Sequence, residues 1–154
     1  MTHSAPRLVY PKLAPKAFKA LLDLSAAVKA GTLGVRLVDL VFLRVSQVNG
    51  CAFCIDMHWA DLVRHDADPR HLNALAGWRE APFFSARERA ALAWAELVTA
   101  IPQREPDDGA YAALREQLDD AEIADLTFAV GAINAWNRLN VAFRNPVPDQ
   151  PYRA

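Results

Sequence analysis

The sequence predicts an all-α protein. Apolar residues recur at helical spacing along most of the chain, no segment offers clean period-2 alternation, and turn and cap residues interrupt the pattern at intervals that suit helices. At 154 residues the chain can bury a sizeable core, and with no repeat, low-complexity tract or evident linker it reads as a single domain over 1–154.

The elements follow in order. Residues 16–30 have helical composition and stop at Gly31, a suitable C′ residue. Residues 35–48 form the second helix, ended by Asn49-Gly50; length and a period near 3.6 outweigh its β-branched content. The third covers 51–65. Asp68-Pro69 is an N-cap followed by proline at the first helical position, opening a short fourth helix through Trp78. Ser85 and Glu88 make a capping box for a long helix to about Ala100, broken at Pro102. Asp108 is the expected cap of a sixth helix over 111–117. Asp119 or Asp120 starts a last long helix ending near Arg144, and the proline-rich tail from Pro146 is expected to be extended.

A net charge of −1 gives no reason to expect nucleic acid or an anionic membrane as partner. The first thirteen residues lack an apolar signal-peptide core, and no apolar run nears the ~20 residues of a membrane span. A reducing cytoplasm is the expected compartment, where two cysteines are rarely a structural staple. The 53% apolar content is somewhat high for a soluble domain and points to surface buried between subunits.

Both cysteines fall in one short run, Val45-Ser46-Gln47-Val48-Asn49-Gly50-Cys51-Ala52-Phe53-Cys54-Ile55-Asp56-Met57-His58. On one helix Cys51, Cys54 and His58 share a face. Cys51 follows Gly50 at a helix start, where free amides and the helix dipole favour thiolate. The Cβ atoms of an i, i+3 pair lie ~5–6 Å apart against ~3.8 Å in a disulfide, so a bond between them needs local adjustment and is of the reducible kind. His58, with a reference pKa of ~6.5, can take and return a thiol proton. The rival readings are an inert buried pair, a zinc site on Cys51, Cys54 and His58 with Asp61 or His65, and a thioredoxin-like oxidoreductase. Zinc lacks a second Cys/His pair, since neither His3 nor His71 sits in a ligand pattern, and a thioredoxin fold needs a strand where a helix is expected.

The stretch Leu43 to His58 resembles the core of the AhpD-like alkylhydroperoxidases, within the carboxymuconolactone decarboxylase superfamily. Trp78-Arg79-Glu80-Ala81-Pro82-Phe83-Phe84, Arg87-Glu88-Arg89-Ala90-Ala91-Leu92-Ala93-Trp94 and Ile133-Asn134-Ala135-Trp136-Asn137-Arg138-Leu139-Asn140 are also similar to this family. The resemblance runs from about 33 to 143, with extended segments outside it. It implies a helical bundle assembled as a trimer, hexamer or related ring; no cofactor or metal is expected. It implies reduction of organic hydroperoxides, with Cys54 as the peroxidatic thiol, Cys51 as proton donor and resolving partner, and His58 in a proton relay. The electron donor would be a dithiol, a lipoyl-type carrier or a thioredoxin-like protein. Two positions depart. The family glutamate twelve residues before the first cysteine is Asp39 here, shorter by a methylene and expected to reach His58 through a bridging water. The family histidine between the cysteines is Phe53.

Asp39 also admits a plain reading, as half of an Arg36-Asp39 pair on a solvated stripe with Ser46 and Gln47. Asn134, Asn137 and Arg138 lie in an apolar helix and need partners, which suits a structural role joining helices or subunits. Trp59, Trp78 and Trp94 are candidates for core or interface, His65 for surface, and Phe83-Phe84 for a hydrophobic staple or for packing under the thiols. Beyond peroxide reduction, the alternatives are a non-catalytic redox sensor or oligomer subunit and a metal-binding module.

Overall fold

In a computed structural model describing residues 5–149, the chain forms eight α-helices with no strand among the described residues. They are α1 (Tyr10–Leu13), α2 (Pro15–Lys29), α3 (Val35–Asn49), α4 (Ala52–Arg64), α5 (Pro69–Asn73), α6 (Ala86–Thr99), α7 (Asp108–Arg115) and α8 (Asp120–Ala142). His3 and the end of the proline-rich tail lie outside the described residues.

Helix α3 is the axle. Every side chain from Leu37 to Leu43 is buried, as are Val45 and Ser46. A helix covered on all sides is a core helix, and α2, α4, α6 and α8 pack around this one. Its β-branched content therefore reflects interior packing rather than strand preference. Each fully buried aliphatic or aromatic side chain here contributes about 1.5–3 kcal/mol.

Helix α8 lies along α3. Its inward stripe runs Ile123, Leu126, Val130, Ile133, Asn137, Asn140, at alternating spacings of three and four. The stripe turns from apolar to polar toward its C-terminal end, where α3 hands over to α4. A capping box holds the other end: Glu122 N–H donates to Asp119 Oδ1 and Asp119 N–H to Glu122 Oε2, both at 2.9 Å.

The elements differ from expectation in detail. Tyr10–Leu13 is a helical turn rather than extended chain, with Pro11 inside its first turn. The fourth helix ends at Asn73, and Ala74–Gly77 continues as a 3-10 turn. The cap of α7 is Asp107, whose Oδ1 accepts the Ala110 N–H at 2.8 Å, so Asp108 is the first helical residue. At α6 the capping box of Ser85 and Glu88 is present. The staple is not: the residue after the box is Arg89, which donates to the Phe84 carbonyl, while Phe84 packs on His71 at 4.2 Å.

Trp78 is buried and Trp94 partly so, but Trp59 is 43% exposed and no part of this core. Trp78 Nε1 donates to Glu96 Oε1 at 2.9 Å, and the guanidinium groups of Arg44 and Arg79 each reach Glu96 at 2.7 Å. One carboxylate thus ties α3 and the 78–79 turn to α6. No helix among the described residues is long and apolar enough to cross a membrane.

Candidate active site

The chain leaves α3 through a left-handed turn at Gly50 (φ 67°). Cys51 N–H donates to the Ser46 carbonyl at 3.0 Å and Gly50 N–H to the Gln47 carbonyl at 3.2 Å, a Schellman closure. A residue with a Cβ would be strained in this conformation. The turn makes Cys51 the N-cap of α4 in extended backbone, its carbonyl taking the Ile55 N–H at 2.9 Å. Cys54 falls in the first turn and His58 one turn later. Cys51, Cys54 and His58 are all buried, and both thiols are free.

Asparagines from α8 meet these thiols. Asn140 Nδ2 donates to Cys54 Sγ at 3.2 Å. The Asn140 carbonyl oxygen accepts the Tyr10 hydroxyl at 3.0 Å and Asn145 Nδ2 at 2.9 Å. Asn137 Nδ2 donates to Ser46 Oγ at 3.0 Å, and Asn49 Nδ2 bridges Asn137 Oδ1 and Asn134 Oδ1. Arg138 binds the Asn134 side chain and carbonyl. Asn134 and Asn137 therefore do hold helices together, Arg138 braces Asn134 within α8, and Asn137 also stands at the thiols.

The two sulfurs are electrostatically unequal. The Cys54 thiol is pushed down to about 6, first by the Cys51 thiol directed at it, then by Asn140, Asn137 and the charge of His58, against the opposing effect of burial. The Cys51 thiol is pushed far up, because its proton is held toward Cys54 and the site is desolvated. The helix-start argument alone would have favoured both sulfurs; the pair instead shares one negative charge, held on Cys54.

Asp39 is wholly buried and Arg36 exposed, which rules out the solvated Arg36-Asp39 pair. Asp39 Oδ1 meets Lys29 Nζ at 2.7 Å and lies 3.5 Å from His58 Nδ1, within ion-pair range but without the geometry of a direct hydrogen bond. Asp61 Oδ2 lies 3.4 Å from the same Nδ1 and 3.5 Å from Lys29 Nζ, and Asp61 also pairs with Arg64. Burial pushes the Asp39 carboxyl up, but His58 and Lys29 outweigh it and hold the group below its ordinary range. Two carboxylates at Nδ1 favour the proton there, which leaves a lone pair on Nε2. Neither ring nitrogen of His58 makes a hydrogen bond among the described residues.

Asp39, His58 and Asp61 bring three ligand atoms within 4.8 Å, while the rival zinc set of Cys51, Cys54 and His58 forms no such group among the described residues. The Lys29 ammonium already stands where a cation between the carboxylates would sit. His65 is exposed on the surface.

A cavity of about 370 Å³ opens beside His58 and Asn140. Phe18, Phe42, Phe53, Met57 and Trp136 give it apolar walls, and Tyr10 and Lys29 also border it. Phe42 stands edge-on to the His58 ring at 5.0 Å. Phe53, where the resembling family has histidine, thus supplies wall rather than a second base. Three contributors escaped the sequence reading, and a fourth, Asp61, entered it only as a possible zinc ligand. Asn140 had a local signal as a polar residue on an apolar stripe. Tyr10 and Lys29 come from distant segments and had none.

The Carboxymuconolactone decarboxylase family matches residues 15–97, which include Asp39, Cys51, Cys54 and His58 but none of α8. An uncharacterized Bacillus subtilis protein, YdfG, is 36% identical over 139 residues, covering 90% of this chain and 95% of that protein. A crystal structure from Agrobacterium tumefaciens, of unknown function and suggested to be the antioxidant-defence protein AhpD, superposes with a TM-score of 0.89 at 41% identity, over 95% of this chain and all of that one. The debrominase Bmp8 shares the fold at 19% identity, with a TM-score of 0.80 over 90% of this chain and 74% of its own.

Proposed function

From its place in the carboxymuconolactone decarboxylase family, to which the chain belongs, we propose that it is an AhpD-like thiol peroxidase that reduces organic hydroperoxides. The observation that carries this reading is the free Cys54 thiol, met at 3.2 Å by Asn140 Nδ2 just behind a cavity that Asn140 and His58 line, with its pKa pushed down in keeping.

In the first step the Cys54 thiolate attacks the outer peroxide oxygen. The O–O bond breaks, Cys54 becomes the sulfenic acid, and the leaving alkoxide takes a proton from the His58 relay and departs as alcohol. Asp39 and Asp61 favour the His58 proton on Nδ1 and offset the positive charge the ring gains, while Lys29 holds the two carboxylates in place. The Cys51 sulfur, deprotonated through the same relay, then displaces water from the Cys54 sulfenic acid, forming the Cys51-Cys54 disulfide. An external dithiol, lipoyl-type carrier or thioredoxin-like protein returns two electrons and two protons and is itself oxidised to a disulfide. The apolar walls favour hydroperoxides with a bulky hydrocarbon part over hydrogen peroxide. Cytoplasmic location and a homo-oligomeric assembly belong to the same proposal; exposed Phe128 and Val141 are surfaces that a neighbouring subunit would cover.

Steady-state turnover of several hydroperoxides with several dithiol donors tests the reading. Cys54→Ser should abolish turnover; retention of full activity would overturn it. The sensor alternative gains from the burial of both sulfurs, which restricts a reductant's access. It predicts one stoichiometric oxidation and no turnover with any donor.

A further inference from the structure

A second concave site lies at the other end of α3, roughly 20 Å from the cysteines by helix rise. The cleft measures about 780 Å³ and is bordered by the starts of α3, α5 and α6. Its chemistry differs from that of the thiol cavity.

Helix α3 begins at Gly34 (φ 82°) with no side-chain cap. The first hydrogen bond in the helix is Val38 N–H to the Gly34 carbonyl, so the amides of Val35, Arg36 and Leu37 find no acceptor in the helix. These residues line the cleft, and a Cβ at Gly34 would meet open space. The cleft therefore holds free amides at the positive end of a fifteen-residue helix.

The side chains around it point the same way. Arg36 makes no ion pair among the described residues, and Arg70 has only the Phe83 ring, 5.1 Å beneath its guanidinium. The third arginine, Arg87, is engaged by Glu122 at 2.7 Å. The two acids of the cleft are also engaged. Asp68 Oδ1 accepts the Arg70 N–H, and Glu88 Oε2 accepts the Ser85 N–H. His71 lines the cleft at 7% exposure, stacked on Phe84, and its Nε2 has no hydrogen-bond partner; the nearest carboxylate oxygen, Glu88 Oε1, is 3.9 Å away. A buried imidazole nitrogen left unpaired is costly unless something else meets it. Phe83 presents a half-exposed aromatic face on the same wall.

We propose that this cleft binds a small aromatic phosphate ester, its phosphate on the α3 amides, Arg36, Arg70 and His71 Nε2, and its ring against Phe83. Free amides and two unpaired guanidinium groups suit a tetrahedral oxyanion with several acceptor oxygens, and His71 Nε2 adds a donor in the tautomer that carries its proton there. The exposed phenyl face adds affinity for a flat organic part, which bare phosphate lacks.

Titration of ¹⁵N-labelled full-length protein with phenyl phosphate, inorganic phosphate and benzoate, at constant ionic strength, tests the site. Saturable shifts should appear at the amides of Val35, Arg36 and Leu37, with phenyl phosphate binding more tightly than the other two. Arg36→Gln and Arg70→Gln, both at exposed positions, should each weaken phenyl phosphate about tenfold. Phe83→Ala should reduce the advantage of phenyl phosphate over phosphate. The alkylation rate of Cys54 should be unchanged in all three variants, which separates this site from the peroxidase reading. Absence of saturable shifts overturns the proposal, as does affinity undiminished in the Arg36→Gln/Arg70→Gln protein. Equal affinity for phosphate and phenyl phosphate overturns the aromatic part. Sedimentation showing the cleft closed by a second copy of the chain, with no phosphate bound, also overturns it.

Discussion

Asn140 can donate to Cys54 because Tyr10 fixes which way its amide faces. The Tyr10 hydroxyl and Asn145 Nδ2 both donate to the Asn140 carbonyl oxygen, so the amide nitrogen is left to face Sγ at 3.2 Å. A hydrogen bond to a charged acceptor contributes about 1.5–3 kcal/mol, and one pKa unit corresponds to about 1.4 kcal/mol. Asn140→Ala should therefore raise the Cys54 pKa by about one to two units, read from the pH dependence of iodoacetamide alkylation in a Cys51→Ser background. Tyr10→Phe leaves Asn145 holding the amide and should raise it by less than about one unit. An unchanged profile in both would remove Asn140 from the account.

Reaction with peroxide should follow the Cys54 thiolate. With that thiol pushed down to about 6, the reactive form is present above this pH and lost as pH falls through it. Stopped-flow single turnovers should reach a plateau by neutral pH and decline below about 6. A rate still rising through pH 8 would mean an ordinary thiol, whose pKa is ~8.5.

The Asp39 carboxyl, held below its ordinary range, links stability to acid. Its contribution is complete above the unfolded-state value of ~3.9 and is lost as pH falls through the depressed folded value. Asp39→Asn leaves Lys29 and His58 with Asp61 alone and should cost about 2–3 kcal/mol at pH 7, less than for a fully buried pair because Asp61 remains and Lys29 keeps contact with water. Urea unfolding at pH 7 and in strong acid checks this: the gap between the two proteins should close in acid. Peroxidase turnover should also drop, since His58 loses part of what orients it.

Glu96 gathers Trp78, Arg44 and Arg79 on one carboxylate, where burial raises its pKa and these three partners lower it further than burial can offset. Glu96→Ala should destabilise the protein by about 2–3 kcal/mol, the scale of charge-assisted hydrogen bonds, with the thiol chemistry retained. Thermal unfolding beside Cys54 alkylation separates the two effects.

Much of this molecule is readable from local pattern. The Ser85-Glu88 capping box, the Gly50 break and the helical period of α3 each belong to a few adjacent residues, and local chemistry decides them. The Cys51, Cys54, His58 spacing is readable for the same reason. The surroundings of that motif are not. Lys29 reaches Asp39 from the end of α2, and Tyr10 reaches Asn140 across 130 positions, contacts that only packing creates. Asp39 shows the limit in another way: as sequence it pairs equally well with Arg36, and the full burial of α3 decides the matter.

The central claim is that Cys54 is the atom that takes the peroxide oxygen. Cys51→Ser protein, given one equivalent of cumene hydroperoxide with dimedone present and digested for peptide mass spectrometry, tests it most directly. The expected result is a dimedone adduct on Cys54, formed at the rate at which peroxide disappears. Peroxide consumption with no adduct on Cys54, or no consumption at all, would contradict it.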